Sequence, residues 1–113
     1  MASKYLLYIP VLSVLIFSAP PAHAKPAKCL LAVDDIVQID GTCTFIPLSG
    51  TAGSFKIMAA DGRYFAYLYV DHPDQGRGFW NEAPGAGHAH TPLEVLVRNG
   101  ACWQNDHAKI CAW

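Results

Sequence analysis

Beyond residue 28, apolar and polar positions alternate in short runs, each closed by Gly, Pro, Asp or Asn. A period of two, carried by β-branched and aromatic residues, marks a strand with one face buried. Segments 29–33, 36–40, 42–47, 54–59, 63–70, 78–81, 93–98, 101–104 and 109–113 read this way. The breaks between them are Asp34-Asp35, Asp40-Gly41, the connector 48–53, Asp61-Gly62, the turn 71–76, the loop 82–92, Asn99-Gly100 and 105–108. Asp61-Gly62 is the clearest hairpin signal. No stretch keeps a helical period of useful length. The pattern predicts a mainly β domain, a small antiparallel β-barrel or rolled sheet of six to eight short strands.

Segment 63–70 is apolar almost throughout. Alternation places Tyr64, Ala66, Leu68 and Val70 on one face and Phe65, Tyr67 and Tyr69 on the other. A central strand covered on both faces is expected, with the aromatics packed in a second layer; the rival is an exposed stacking stripe. Segment 93–98 sets Leu93, Val95 and Val97 against Glu94 and Arg98. Trp103 and Trp113, close to cysteines, are expected in the core beside the disulfides.

The first 24 residues break the pattern. Lys4 is followed by an apolar run from Leu6 to Phe17, then Ala22-His23-Ala24. A basic start, an apolar middle and small residues at the end make a secretory signal peptide, with cleavage expected after Ala24. The apolar run falls short of the roughly 20 residues a spanning helix needs, so no membrane span is expected after cleavage. The remaining chain, 25–113, reads as one domain in a periplasmic or secreted location, with Lys-Pro-Ala-Lys at 25–28 expected as a frayed start.

All four cysteines, Cys29, Cys43, Cys102 and Cys111, lie in that domain. In an exported chain of this size an even number of cysteines reads as two disulfides, which offset the small core. A zinc–thiolate site needs close cysteine pairs, and these spacings do not supply them. Of the three connectivities, Cys29–Cys43 with Cys102–Cys111 is favoured, because the second pair flanks a turn at Asp106-His107. The rival joins Cys29 to Cys111 and Cys43 to Cys102. Seven Lys/Arg and nine Asp/Glu fall within 25–113, so the domain is weakly acidic and nucleic acid is not an expected partner.

The chain has no Gly-x-Ser-x-Gly, phosphate-binding glycine loop or His-Glu-x-x-His motif, and no catalytic residue is assigned. Two constellations remain. Phe79, Trp80 and Asn81 precede a Gly/Pro loop and form the candidate binding surface, where an aromatic ring anchors a partner or stacks on a sugar. His88 and His90 are two apart, so an extended backbone points both imidazoles to one side, where they suit Zn or Cu. His72, His107, Asp71 or Glu82 are the candidates to complete such a metal site.

Several elements together resemble a group of short exported bacterial proteins: Gly41–Cys43–Phe45, Gly53-Ser-Phe-Lys-Ile57, Tyr64-Phe-Ala-Tyr67, Phe79-Trp-Asn81, His88-Ala-His90, Gly100-Ala-Cys-Trp103 and Ile110-Cys-Ala-Trp113. This resemblance implies export and no particular activity. Asp61-Gly-Arg-Tyr64 and Phe79-Trp-Asn81 are also similar in outline to elements of bacterial periplasmic lysozyme inhibitors, which are small disulfide-bonded β-barrels. Asp61 stands where that motif has Ser, and its Lys-Gly element is missing. The function expected is a non-catalytic binding or inhibitory module with an envelope or extracellular protein or glycan as partner and no cofactor. The alternative is a metal-binding periplasmic protein using His88 and His90.

Overall fold

The computed structural model describes residues 23–113. The predicted leader lies outside the described residues apart from its last two positions. Eight strands follow one another: β1 (Lys25–Val33), β2 (Ile36–Pro47), β3 (Phe55–Ala59), β4 (Phe65–His72), β5 (Gln75–Trp80), β6 (Thr91–Asn99), β7 (Cys102–Gln104) and β8 (Ala108–Ala112). Each pairs antiparallel with the next, and β8 pairs back onto β1, so the sheet closes into a barrel in chain order. No helix is present among the described residues. Closure removes the unpaired edges that an open sheet of this size would expose.

The interior is filled by the inward positions of every strand. Leu31, Ile39, Phe55, Ile57, Leu68, Trp80, Leu96, Trp103 and Ile110 are buried there. Gly76 and Gly78 are buried too, on β5. A Cβ on Gly78 would stand 2.8 Å from Leu96 Cδ1 and 3.1 Å from Ile110 Cδ1. The absent side chain is therefore the space those two residues occupy. Read from sequence, Gly76 belongs to a turn; in the fold, β5 begins at Gln75 and both glycines are strand residues.

Three other sequence expectations change. The Asp40-Gly41 break is no strand end: Gly41 adopts φ +112° within a continuous β2. Residues 25–28, expected to be frayed, open β1; Lys25 lies opposite Phe45, and Lys28 and Trp113 exchange backbone bonds of 3.2 and 2.8 Å. In β6, Leu93 and Leu96 face inward whereas Val95 and Val97 are exposed. The cause is an irregularity where Gly78 pairs with Glu94 but Phe79 pairs with Pro92, with Glu94 at φ +66°. An extra residue there reverses the parity of everything beyond it.

The turns follow their local chemistry. Asp34 and Asp35 both take positive φ (51° and 66°) and join β1 to β2 in two residues, a geometry Asp tolerates. Asn105 organises the β7–β8 turn, its Oδ1 accepting from the His107 and Ala108 amides at 2.7 and 2.8 Å.

Both disulfides have the favoured pairing, Cys29–Cys43 and Cys102–Cys111. Cys29 lies opposite Gly41 and Cys43 opposite Ala27, so the first bond runs diagonally between β1 and β2, and it sits inside the barrel. Cys102 and Cys111 are directly opposite, with Cα atoms 4.0 Å apart. Their neighbours Trp103 and Ile110 point inward, so this bond lies on the outer wall. Two disulfides place the fold in an oxidising compartment. Trp103 joins the core as expected, but the Trp113 side chain is 65% exposed. Only its backbone is held.

Candidate functional site

The barrel has two ends. The turns at 34–35, 60–64 and 105–107 and the loop 81–90 form one. The connector 48–54, the turns at 73–74 and 100–101, and both ends of the described chain form the other. Phe79, Trp80, Asn81, His88 and His90 lie around the first end and on the adjoining outer wall, whereas Asp71 and His72 lie at the other end.

Trp80 is 5% exposed and points into the barrel, its ring 5.9 Å from that of Tyr64. Its indole Nε1 is buried with no hydrogen-bond partner. Asn81 is 1% exposed. Its Oδ1 accepts from the Phe65 amide at 2.8 Å, and its Nδ2 donates to the carbonyls of Arg63 and Ala86 at 2.9 and 3.0 Å. These two residues build the wall and present no contact surface, contrary to the grouping drawn from sequence. Of the three, only Phe79 faces outward.

Phe79 there joins the aromatic face of β4. Phe65 meets Tyr67 edge-on at 5.8 Å, Tyr67 stacks on Tyr69 at 5.8 Å, and Tyr69 meets Phe79 edge-on at 5.9 Å. Lys56 of β3 lies over this row, its Nζ 4.5 Å from the Phe65 centroid and 5.3 Å from that of Tyr67. Cations at this range are attracted to the ring face. Cover thins along the row: Phe65 is buried, Tyr67 half-buried, and Tyr69 40% exposed. The row is therefore a second layer at one end and an open stripe at the other.

The 81–90 loop folds against this row. Gly85 donates its amide to Arg63 O at 2.8 Å, and Asn81 holds the Ala86 carbonyl. Gly87, His88 and Ala89 thereby form a shallow groove of about 350 Å³ with Tyr67, Tyr69 and Phe79. A fixed charge pair flanks β5: Arg77 donates to both Asp71 carboxylate oxygens, at 3.0 and 3.2 Å. The hydrogen bonds to Asp71, and then its charge, raise the Arg77 pKa above its ordinary value.

The imidazoles of His88 and His90 lie together, with ring centroids 5.3 Å apart. The candidates to complete a metal site go elsewhere. His107 Nδ1 is 3.4 Å from Asp34 Oδ1, Asp71 is engaged by Arg77, and Glu82 accepts from Thr91 Oγ1 at 3.1 Å. Among the described residues no group of three or more His, Cys, Asp or Glu side chains converges.

At the far end, Phe45, Phe55, Val70, Trp103 and Ala112 enclose a half-open cavity of about 320 Å³ beneath Arg98. Sequence alternation placed Arg98 on a polar outer face. The irregularity at Glu94 turns it inward, to 5.8 Å over the Trp103 ring. No sequence signal marked this cavity, because its lining comes from six strands.

The molecule thus defines a class by its fold, a closed eight-stranded antiparallel barrel with one disulfide inside and one outside. No family model, curated protein or solved structure matches the chain.

Proposed function

We propose that the protein is an exported, non-catalytic binding or inhibitory module that engages a protein or glycan of the cell envelope through the outer face of β4 and β5. Export rests on the leader pattern of residues 1–24, with cleavage after Ala24 releasing a periplasmic or secreted domain. The observation that carries the binding reading is the row Tyr67–Tyr69–Phe79, which opens to solvent outside a barrel whose interior is already filled. Rings not needed for the core, rimmed by polar groups, fit a contact surface. Lys56, His88 and the Arg77–Asp71 pair supply that rim.

The test is recovery from an envelope extract on immobilised protein, with cell-wall oligosaccharides as competitor. Wild type is expected to retain a partner that the Tyr69→Ala/Phe79→Ala variant loses and that Ile36→Ser, an exposed position on the β1–β2 hairpin, keeps. Competition by oligosaccharide assigns the partner to glycan. Equal recovery by both variants removes this surface from the function.

A metal-binding role for His88 and His90 is the second reading, favoured by their 5.3 Å approach. Calorimetry with Zn(II) and Cu(II) tests it. Binding abolished by His88→Ala supports it, and binding no tighter than in the variant lacking both histidines ends it.

A further inference from the structure

The barrel mouth between the 48–54 connector and the turn at Gly100 is a built cavity that the binding surface above does not use. Its volume, about 320 Å³, lies at the lower end of the range typical of small-molecule sites, roughly 300–1,000 Å³. Barrel mouths are one of the places where such sites occur. The floor and walls are apolar: Phe45 and Phe55 stacked at 5.0 Å, Val70, Trp103 and Ala112.

Cations stand at the rim. The Arg98 guanidinium lies 5.8 Å from the Trp103 centroid, and the Lys25 ammonium 5.6 Å from that of Phe45. Arg98 spends one donor, its Nε, on the Gly100 carbonyl at 3.2 Å. Among the described residues neither cation forms a salt bridge. Of the acids at this end, Asp71 is engaged by Arg77, and Asp74 lies in the 73–74 turn, where its backbone carbonyl accepts from the Arg98 amide at 2.9 Å. Asp34, Asp35, Asp61, Glu82, Glu94 and Asp106 sit at or next to the turns of the opposite end. Arg98 and Lys25 stand directly above the apolar walls and supply the positive charge at this mouth.

We propose that this mouth binds a small amphiphilic carboxylate. The apolar part, a short alkyl chain or a single aromatic ring, lies against Phe45, Phe55, Val70 and Trp103. The carboxylate meets the free Nη donors of Arg98, whose planar fork suits two-point contact with that group. Lys25 adds charge at the rim. The volume fits a short chain and not a full-length lipid.

Octanoate and 1-octanol separate the charge from the apolar contact. Octanoate is expected to bind saturably by calorimetry and to change the fluorescence of Trp103, a change lost in Trp103→Phe. Octanol is expected to bind about tenfold or more weakly, the discrimination due to a charged hydrogen bond. Arg98→Gln should weaken octanoate by a similar factor without affecting octanol, while Arg98→Lys retains part of the affinity. Arg98 is exposed, so these variants are expected to fold, and near-ultraviolet circular dichroism checks it. Equal binding of the two probes, an Arg98→Gln variant that binds octanoate as wild type does, or no saturable binding of octanoate overturns the proposal. The surface at Tyr69 and Phe79 stands or falls independently.

Discussion

Asn81 joins three backbone segments through one amide, and its place in the chain gives little hint of this. Its oxygen satisfies the Phe65 amide at the start of β4, and its nitrogen ties down Arg63 and Ala86. Asn81→Ala leaves the buried Phe65 amide and the Ala86 carbonyl without partners, while the Arg63 carbonyl keeps the Gly85 amide. It should lower unfolding free energy by about 1–3 kcal/mol, measured by denaturant titration. Hydrogen exchange at the Phe65 amide should accelerate in the same variant. A stability change without that acceleration would assign the loss elsewhere. From sequence the residue reads as part of a recognition triplet, because Phe-Trp-Asn before a loop looks like a presented surface. What hid its role is that its partners lie at residues 63, 65 and 86. Gly76 misleads for a related reason. It reads locally as the end of the turn 71–76, and only its pairing with Leu96, with the Tyr69 carbonyl 2.7 Å from where a Cβ would stand, shows it to be a strand residue.

At the scale of the element, alternation was readable wherever the strand was regular. Segment 63–70 sorts correctly into Ala66, Leu68 and Val70 inside and Phe65, Tyr67 and Tyr69 outside. The same reasoning fails on β6, because one irregularity at Glu94 exchanges the faces beyond it. A bulge carries no compositional mark in this chain. The preferred disulfide pairing was readable because hairpins bring near neighbours together, but the face each bond occupies depends on strand parity. That parity has a chemical consequence. Cys29, Cys43 and Cys111 are all buried, whereas Cys102 is half-buried on the outer wall, so the second bond is the one with an accessible half-cystine. Exchange requires access of a thiolate to sulfur. Graded reduction followed by alkylation and mass mapping should therefore label Cys102 and Cys111 first, with Cys29 and Cys43 reacting only as the barrel unfolds.

For the whole molecule, the all-β class and a barrel or rolled sheet followed from the spacing of turns, since strands so short and so regularly interrupted leave few other ways to bury their apolar faces. Closure itself was not legible. It depends on β1 starting at Lys25, in a stretch that reads as a frayed lead-in, and on the bonds between Lys28 and Trp113. The candidate site divides in the same way. The aromatic row lies mainly within one strand and was visible as a pattern. The cavity under Arg98 is assembled from residues 45 to 112 and exists only once the sheet has curved round. The meeting of Arg98 and Lys25 at one mouth likewise emerges only when antiparallel order assigns each strand terminus to an end.

Both disulfides link neighbours within a hairpin, one on each side of the β1–β8 junction, and neither crosses it. In covalent terms the barrel is a linear ribbon with a small ring near each end, and only backbone hydrogen bonds and packing join those ends. Parting them exposes two complementary edges without breaking a bond, and the matching edges of a second chain can take their place. Warming a concentrated sample under oxidising conditions should therefore yield a dimer with both native disulfides intact, detectable by size-exclusion chromatography with disulfide mapping. A single engineered cross-link between Ala32→Cys and Lys109→Cys, directly opposite each other on β1 and β8, should suppress that exchange.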